Sequence, residues 1–218
     1  MKRIFIVANW KSHKNKQEAT DWLKTFLDFK KSEDKEVIVC PSFTILPYLQ
    51  QWIGSHRLPL SVGAQDVSPF AEGAFTGEVN ARQVKEFADY VIIGHSERRT
   101  YFSETDEMVT KKVEMARQAN LTPIFCVQGG QTPVPPGVEM VAYEPVSAIG
   151  TGNPDSPENA EGVIRAIKEK TGASYVLYGG SVTPENINSF TSLPSIDGVL
   201  VGGGSLDPKT FAGIIENA

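Results

Sequence analysis

A rhythm of short apolar runs restricts this chain more than any other feature. Runs rich in Val and Ile recur at residues 4–8, 37–40, 60–64, 90–94, 123–127, 140–143, 175–178 and 198–201. Each is apolar at consecutive positions, which suits parallel strands buried on both faces. Parallel neighbours need a crossover between them, and most of the intervening segments have helical period. In the first, Ala19, Trp22, Leu23, Phe26 and Leu27 share one face, and Asn15 followed by Glu18 makes a capping start. Further helices are expected over about 44–53, 81–88 and 105–119, the last with Val109, Val113 and Ala116 on one side. Ser156-Pro157-Glu158 and Thr183-Pro184-Glu185 each combine an N-cap, a proline at the first helical position and an acid in the first turn, and Asp207-Pro208 opens a last helix.

Strand then helix, repeated eight times in 218 residues, reads as an α/β protein: a closed (β/α)8 barrel forming a single domain over residues 1–218. An open doubly wound sheet is the structural alternative, and the even spacing of the eight units favours closure. One unit is irregular. Residues 129–138 read G-G-Q-T-P-V-P-P-G-V, and Pro133, Pro135 and Pro136 forbid a regular helix. The helix after strand five is therefore expected to be missing, with an extended connector in its place. The net charge of −5 argues against a general nucleic-acid surface, while leaving room for a local anion site. No apolar run approaches the roughly 20 residues needed to span a membrane. The apolar part of the opening M-K-R-I-F-I-V-A-N-W-K is too short for a signal peptide. Cys40 and Cys126 both sit in strand-like runs, with no metal-ligand spacing around them, as buried reduced thiols of a cytoplasmic protein would.

Function in such barrels sits where strands end and the following loops begin. Strand one ends in Asn9-Trp10-Lys11, strand four in Gly94-His95-Ser96-Glu97-Arg98-Arg99 and strand six in Glu144. Strand seven ends in Gly179-Gly180-Ser181, and strand eight in Gly202-Gly203-Gly204-Ser205. The last two are glycine-rich turns before helices, where backbone amides can cradle a phosphate. After Glu144 the chain runs P-V-S-A-I-G-T-G, a small-residue segment stiffened by Pro145 at one end and freed by glycines at the other, as a lid would be. A carboxylate base at Glu144, an imidazole at His95, fixed positive charge at Lys11 and a phosphate cradle together suggest proton abstraction beside the carbonyl of a small phosphorylated compound.

Each of these residues has a plainer reading. Glu144 taken alone is an exposed acid on a strand-to-helix turn, His95 a hydrogen-bonded structural residue, Lys11 a solvated lysine. Their convergence at strand ends is what favours chemistry. Glu97, Arg98 and Arg99 form a charge run; the two arginines are read as structural, with Glu104 a partner. His13 and His56 have no supporting constellation, and Cys126, Phe125 and Tyr143 are read as packing.

The motifs as a set resemble the triosephosphate isomerase family. They are A-N-W-K at 8–11, G-A-F-T-G-E at 73–78, G-H-S-E-R-R at 94–99, A-Y-E-P-V-S-A-I-G-T-G at 142–152, Y-G-G-S-V at 178–182 and V-G-G-G-S-L at 201–206. The resemblance spans nearly the whole chain in the family's order. It implies a TIM barrel that interconverts dihydroxyacetone phosphate and D-glyceraldehyde 3-phosphate through an enediol(ate), in glycolysis and gluconeogenesis. It implies Glu144 as the base and His95 as a neutral electrophile at a helix N-terminus. Asn9 and Lys11 would stabilise oxyanion charge, Glu97 would orient the Lys11 region, and Gly150, Ser181, Gly202 and Gly203 would hold the phosphate. No metal or organic cofactor is implied. Residues 145–152 would form the lid. A homo-oligomer is implied, with loop 67–78 reaching a neighbour, Thr76 supporting the neighbour's site and His13 lying where the partner's tip docks. Phe70 and Phe75 on that loop suggest a partner surface independently.

Two departures stand out. Ser147 occupies the lid where bacterial and eukaryotic relatives usually carry Trp, so a large packing anchor is lost and a more mobile lid is expected. The shortened region after strand five, with Gln128 where many relatives have Glu, resembles archaeal members, which tend to be tetramers; dimer and tetramer both stay open. Other readings are another phosphosugar isomerase or epimerase, disfavoured by the combination of Lys11, His95 and Glu144, and a phosphosugar-binding barrel without turnover.

Overall fold

A computed structural model of the chain describes residues 2–30, 32–145 and 154–218. Eight parallel strands close on themselves: β1 (Ile4–Asn9), β2 (Lys35–Cys40), β3 (Ser61–Ala64), β4 (Tyr90–Ile93), β5 (Thr122–Val127), β6 (Met140–Tyr143), β7 (Tyr175–Tyr178) and β8 (Gly198–Val201). They lie in sequence order, and β1 pairs with both β2 and β8. The closed barrel, rather than the open sheet, is the architecture.

Side chains alternate across each strand, and this splits the core into two layers. Phe5, Val7, Ile38, Cys40, Ile92, Ile124, Cys126, Met140, Ala142, Leu177 and Leu200 fill the barrel interior. The alternate residues, such as Ile4, Ile6, Ala8, Val37, Val39, Phe125 and Val141, face the helices in the larger cluster. The period carries on past the last apolar residue. Phe5 and Val7 are followed by Asn9, and Met140 and Ala142 by Glu144, so the core pattern aims these two polar residues at the barrel mouth.

The helices are α1 (Lys16–Lys24), α2 (Leu46–His56), α3 (Ala81–Lys85), α4 (Ser96–Tyr101), α5 (Asp106–Gln118), α6 (Pro157–Thr171), α7 (Ile187–Thr191) and α8 (Pro208–Asn217), with a 3-10 turn at Gly203–Ser205. Asn15 and Glu18 form the expected capping box on α1, and Ser156 and Asp207 cap α6 and α8. Several boundaries differ from the sequence reading: α1 ends at Lys24, leaving Leu27 beyond it and exposed, and α3 ends at Lys85, short of the expected 88. Thr183-Pro184-Glu185 is a turn, closed by Thr183 N–H to Asn186 Oδ1 at 2.8 Å, and α7 begins only at Ile187. The short α4 has no buried residue and hence no apolar period to betray it.

No helix separates β5 from β6. The proline-rich connector is held by Arg117 Nη1 donating to Pro136 O at 3.1 Å and Lys170 Nζ donating to Gly130 O at 2.7 Å. Val138 is buried in the outer core and Val134 packs against it, so two valines stand in for a helix over this part of the barrel. Among the described residues, no helix is long and apolar enough to cross a membrane.

Candidate active site

The polar strand ends meet in one cavity of about 350 Å³ at the C-terminal mouth of the barrel. Its lining includes Asn9, Lys11, His95, Glu144, Ser181, Gly202 and Gly203. Of the catalytic and phosphate-binding residues expected from sequence, Glu97 does not line it but meets Lys11, and Gly150 lies outside the described residues, as does Ser147.

Glu144 and His95 are both buried, and they touch. His95 Nε2 lies 2.9 Å from Glu144 Oε1, while the other carboxylate oxygen accepts the Ser96 N–H at 2.9 Å. On the far side of the ring, Nδ1 accepts the Glu97 N–H at 3.2 Å. An imidazole nitrogen that accepts carries no hydrogen, so the geometry assigns a neutral ring with its one proton on Nε2, aimed at Glu144. Position explains this. His95 is the N-cap of α4, where free backbone N–H groups need an acceptor and disfavour added positive charge.

Lys11 is held from three sides. Its Nζ meets Glu97 Oε1 at 2.5 Å. Its backbone sits in the left-handed region at φ 52°, which costs a non-glycine residue about 1–2 kcal/mol. Asn9 Oδ1 accepts the Lys11 N–H at 3.1 Å, and Gln65 Nε2 donates to Lys11 O at 2.9 Å and to Cys40 O at 2.8 Å. Gln65 follows β3 directly and was missed, because a neutral amide at a strand end without a glycine pair carries no mark of its own. Arg98 and Lys112 bind Asp66 and Glu104, fastening α4 to the β3 loop and to α5. The structural reading of Arg98 and its Glu104 partner therefore holds. Arg99 is likewise structural, pairing with Asp106 at 2.7 Å.

Two further residues gain roles their types did not announce. Cys126, read as core, lies in the barrel interior against Glu144; burial first, and then the neighbouring carboxylate, push its thiol well above the usual range. Tyr178 Oη accepts the Asp155 N–H at 2.8 Å, and burial raises its phenol to about 12, so it stays neutral. The Gly179-Gly180 pair makes room for both neighbours. A Cβ on Gly179 would lie 3.0 Å from Tyr143 O and 3.2 Å from Glu144 Cγ, and one on Gly180 only 2.2 Å from Tyr178 Oη. The pair thus has a packing reason beside the cradle inferred from sequence. Among the described residues, no group of three or more His, Cys, Asp or Glu side chains is placed to hold a metal ion.

Fold and cavity together define a (β/α)8-barrel protein with an acid, an imidazole and an ammonium group gathered at the strand ends. The family model for triosephosphate isomerase matches residues 4–133 and 137–218, breaking only inside the β5–β6 connector. Among curated relatives, the triosephosphate isomerase of Thermus thermophilus is 38% identical over 251 aligned positions covering 100% of both chains. That of Dictyoglomus thermophilum is 39% identical with the same coverage, and that of a Synechocystis strain is 41% identical with 99% of each chain covered. The chain belongs to the triosephosphate isomerase family.

Proposed function

We propose that this chain, as one barrel, interconverts dihydroxyacetone phosphate and D-glyceraldehyde 3-phosphate. The observation that carries the reading is the buried contact between Glu144 and the Nε2–H of a neutral His95, in a cavity that also holds Lys11 and the glycine-rich ends of β7 and β8.

The contact describes a resting arrangement. Glu144 is satisfied by His95 and Ser96, and both bonds must be given up for catalysis. A substrate carbonyl takes over the Nε2–H, which frees the carboxylate to reach the adjacent C–H. Glu144 removes the proton from C1 of dihydroxyacetone phosphate. The C–H electron pair becomes the C1–C2 double bond, and the carbonyl pair moves to O2, where His95 Nε2–H and Lys11 Nζ meet the developing charge. A proton passes from O1 to O2, and Glu144 returns its proton to C2, leaving the aldehyde at C1. Asn9 and Gln65 hold Lys11 in place, and Glu97 balances its charge. The phosphate is read at Ser181, Gly202 and Gly203; Gly150 and the lid expected over residues 145–152 fall, Pro145 apart, outside the described residues. Tyr178 fixes Asp155, shortly after that lid. The substrate carries its own acidic hydrogen, so the scheme calls for no metal or cofactor.

The protein is further read as a cytoplasmic homo-oligomer serving glycolysis and gluconeogenesis. Phe70 and Phe75 support the assembly: they stack at 4.2 Å on loop 67–78, yet remain 44% and 42% exposed. A parallel aromatic pair left half in water suits burial by a second copy, with Thr76 beside it reaching the neighbour's site and His13 on the receiving loop.

A coupled assay from D-glyceraldehyde 3-phosphate tests the function. Turnover in the parent and its loss by about 10²–10⁴-fold in Glu144→Gln is the expected result. Tight binding of the triose phosphate without turnover in the parent would instead make the chain a phosphosugar-binding barrel, and turnover of a pentose phosphate in its place would make it an epimerase.

A further inference from the structure

Lys14 stands three residues beyond Lys11 and, like it, has a left-handed backbone, at φ 69°. Such angles are free to glycine and cost a lysine about 1–2 kcal/mol. Nothing in the chemistry above uses this side chain, so its contacts must supply the reason. Its Nζ lies 5.2 Å from the centre of the Trp10 ring and donates to Leu206 O at 2.7 Å. Leu206 ends the 3-10 turn Gly203–Ser205. The carbonyl just before it, Ser205 O, accepts Trp22 Nε1–H at 3.0 Å in a buried bond. Two successive carbonyls of the turn after β8 are thus gripped by donors from the first β–α unit, which also carries Lys11.

The other end of the turn touches the same unit. A Cβ on Gly202 would lie 3.3 Å from Lys11 Cε. Between these anchors run three glycines, 202–204, the least rotationally restricted backbone a chain can have. The turn closes on itself through Ser205 N–H to Gly202 O at 2.9 Å and Leu206 N–H to Gly203 O at 3.1 Å, but those bonds fix its shape and not its place against the Lys11 loop. Lys14 therefore spans the gap between the lysine that would meet the oxyanion and the turn that would meet the phosphate, and sets their separation. Burial lowers the pKa of Lys14, and the carboxylates facing it, Glu18 on α1 and Asp207 at the start of α8, oppose that shift in part.

We propose that Lys14 is a positioning residue for phosphate recognition, fixing the turn after β8 against the Lys11 loop through its bond to Leu206 O. The inference rests on the triose-phosphate reading of the cavity. Lys14→Gly removes the ammonium and relieves the backbone strain; Lys14→Met removes the ammonium and keeps the stem; Lys14→Arg keeps a donor. Steady-state kinetics with D-glyceraldehyde 3-phosphate, inhibition by inorganic phosphate and thermal melts are read for each. The expected result is KM and the phosphate inhibition constant both raised about three- to tenfold in Gly and Met, with kcat within about twofold and Arg restoring the parent values. Lys14→Gly melts closer to the parent than Lys14→Met does, because relief of the backbone strain offsets part of the lost bond. The KM difference persists at high salt, where a purely long-range charge effect would be screened. Unchanged KM and phosphate inhibition in Gly and Met, or a difference that salt abolishes, would overturn the proposal. A parent that neither turns over the triose phosphate nor responds to inorganic phosphate would instead sink the reading of the cavity itself.

Discussion

Gln65→Glu changes one atom type and should separate stability from chemistry. The Gln65 amide gives both its hydrogens away, to Lys11 O at 2.9 Å and Cys40 O at 2.8 Å. A carboxyl in its place can give one hydrogen when protonated and none when ionised. An unsatisfied buried acceptor costs about 1–3 kcal/mol, so the protonated variant loses about that much and the ionised variant about twice as much. Gln65 is only half-buried, and water makes good part of the loss, which favours the lower end of each range. At about 2–4 °C per kcal/mol for a chain of this size, melting falls by a few degrees at acid pH and by about twice that at alkaline pH. The sign follows from linkage. Two carbonyl oxygens favour the neutral form, so the folded pKa of the introduced carboxyl rises above the unfolded value of about 4.3. The variant is therefore closest to the parent below that value and loses stability as pH climbs through the folded pKa. Melts followed by circular dichroism at about pH 4 and about pH 8.5 read this directly. Gln65→Leu, which removes both donors without adding a charge, should show a loss with no pH dependence. Equal melting of parent and Gln65→Glu at both pH values would refute the claim that this amide holds the strained Lys11 backbone.

Other expectations are briefer. Glu144→Asp keeps a base but withdraws it by one methylene, and about 10²-fold of kcat should go with it, measured in the same coupled assay. Tyr178→Phe loses the bond to the Asp155 N–H; at about 0.5–1.5 kcal/mol for one net hydrogen bond, kcat/KM should fall at least twofold, and an unchanged value would remove Tyr178 from the site. Gly179→Ala presses on Tyr143 O and Glu144 Cγ, so kcat should drop more than KM rises. Phe70→Lys with Phe75→Lys should shift the mass seen by light scattering toward the monomer, and a mass equal to the parent's would place the interface elsewhere.

The barrel was legible because its signal is redundant. Eight apolar runs each say the same thing, and the three prolines after β5 say why one helix is absent. Glu144, His95 and Lys11 were legible because they are charged or titratable groups directly at the ends of such runs. What stayed hidden did so for physical reasons. Gln65 acts through hydrogen bonds to backbone, which any exposed amide could make and no spacing rule marks. Tyr178 and Cys126 sit inside apolar strands, where a phenol or a thiol carries no mark of function until its neighbour, the Asp155 N–H or the Glu144 carboxylate, is known. The start of α7 was misplaced because Thr183-Pro184-Glu185 satisfies the chemistry of a helix start, while Asn186 turns its carboxamide back onto Thr183 and spends those residues on a turn. The tautomer of His95 depends on a single N–H from Glu97, which only the folded α4 delivers.

The alternation that sends Met140 and Ala142 inward and leaves Glu144 at the mouth has a bearing on how such a chain can change in length. Losing one residue from β6 would put the acid out of phase and turn it toward the helices, together with every side chain above the deletion. Removing an entire helix from the 128–139 connector disturbs no phase at all. Strands here behave like a reading frame and connectors like untranslated spacer. The family match breaks at residues 134–136, inside the spacer, and the barrel mouth keeps its inventory intact.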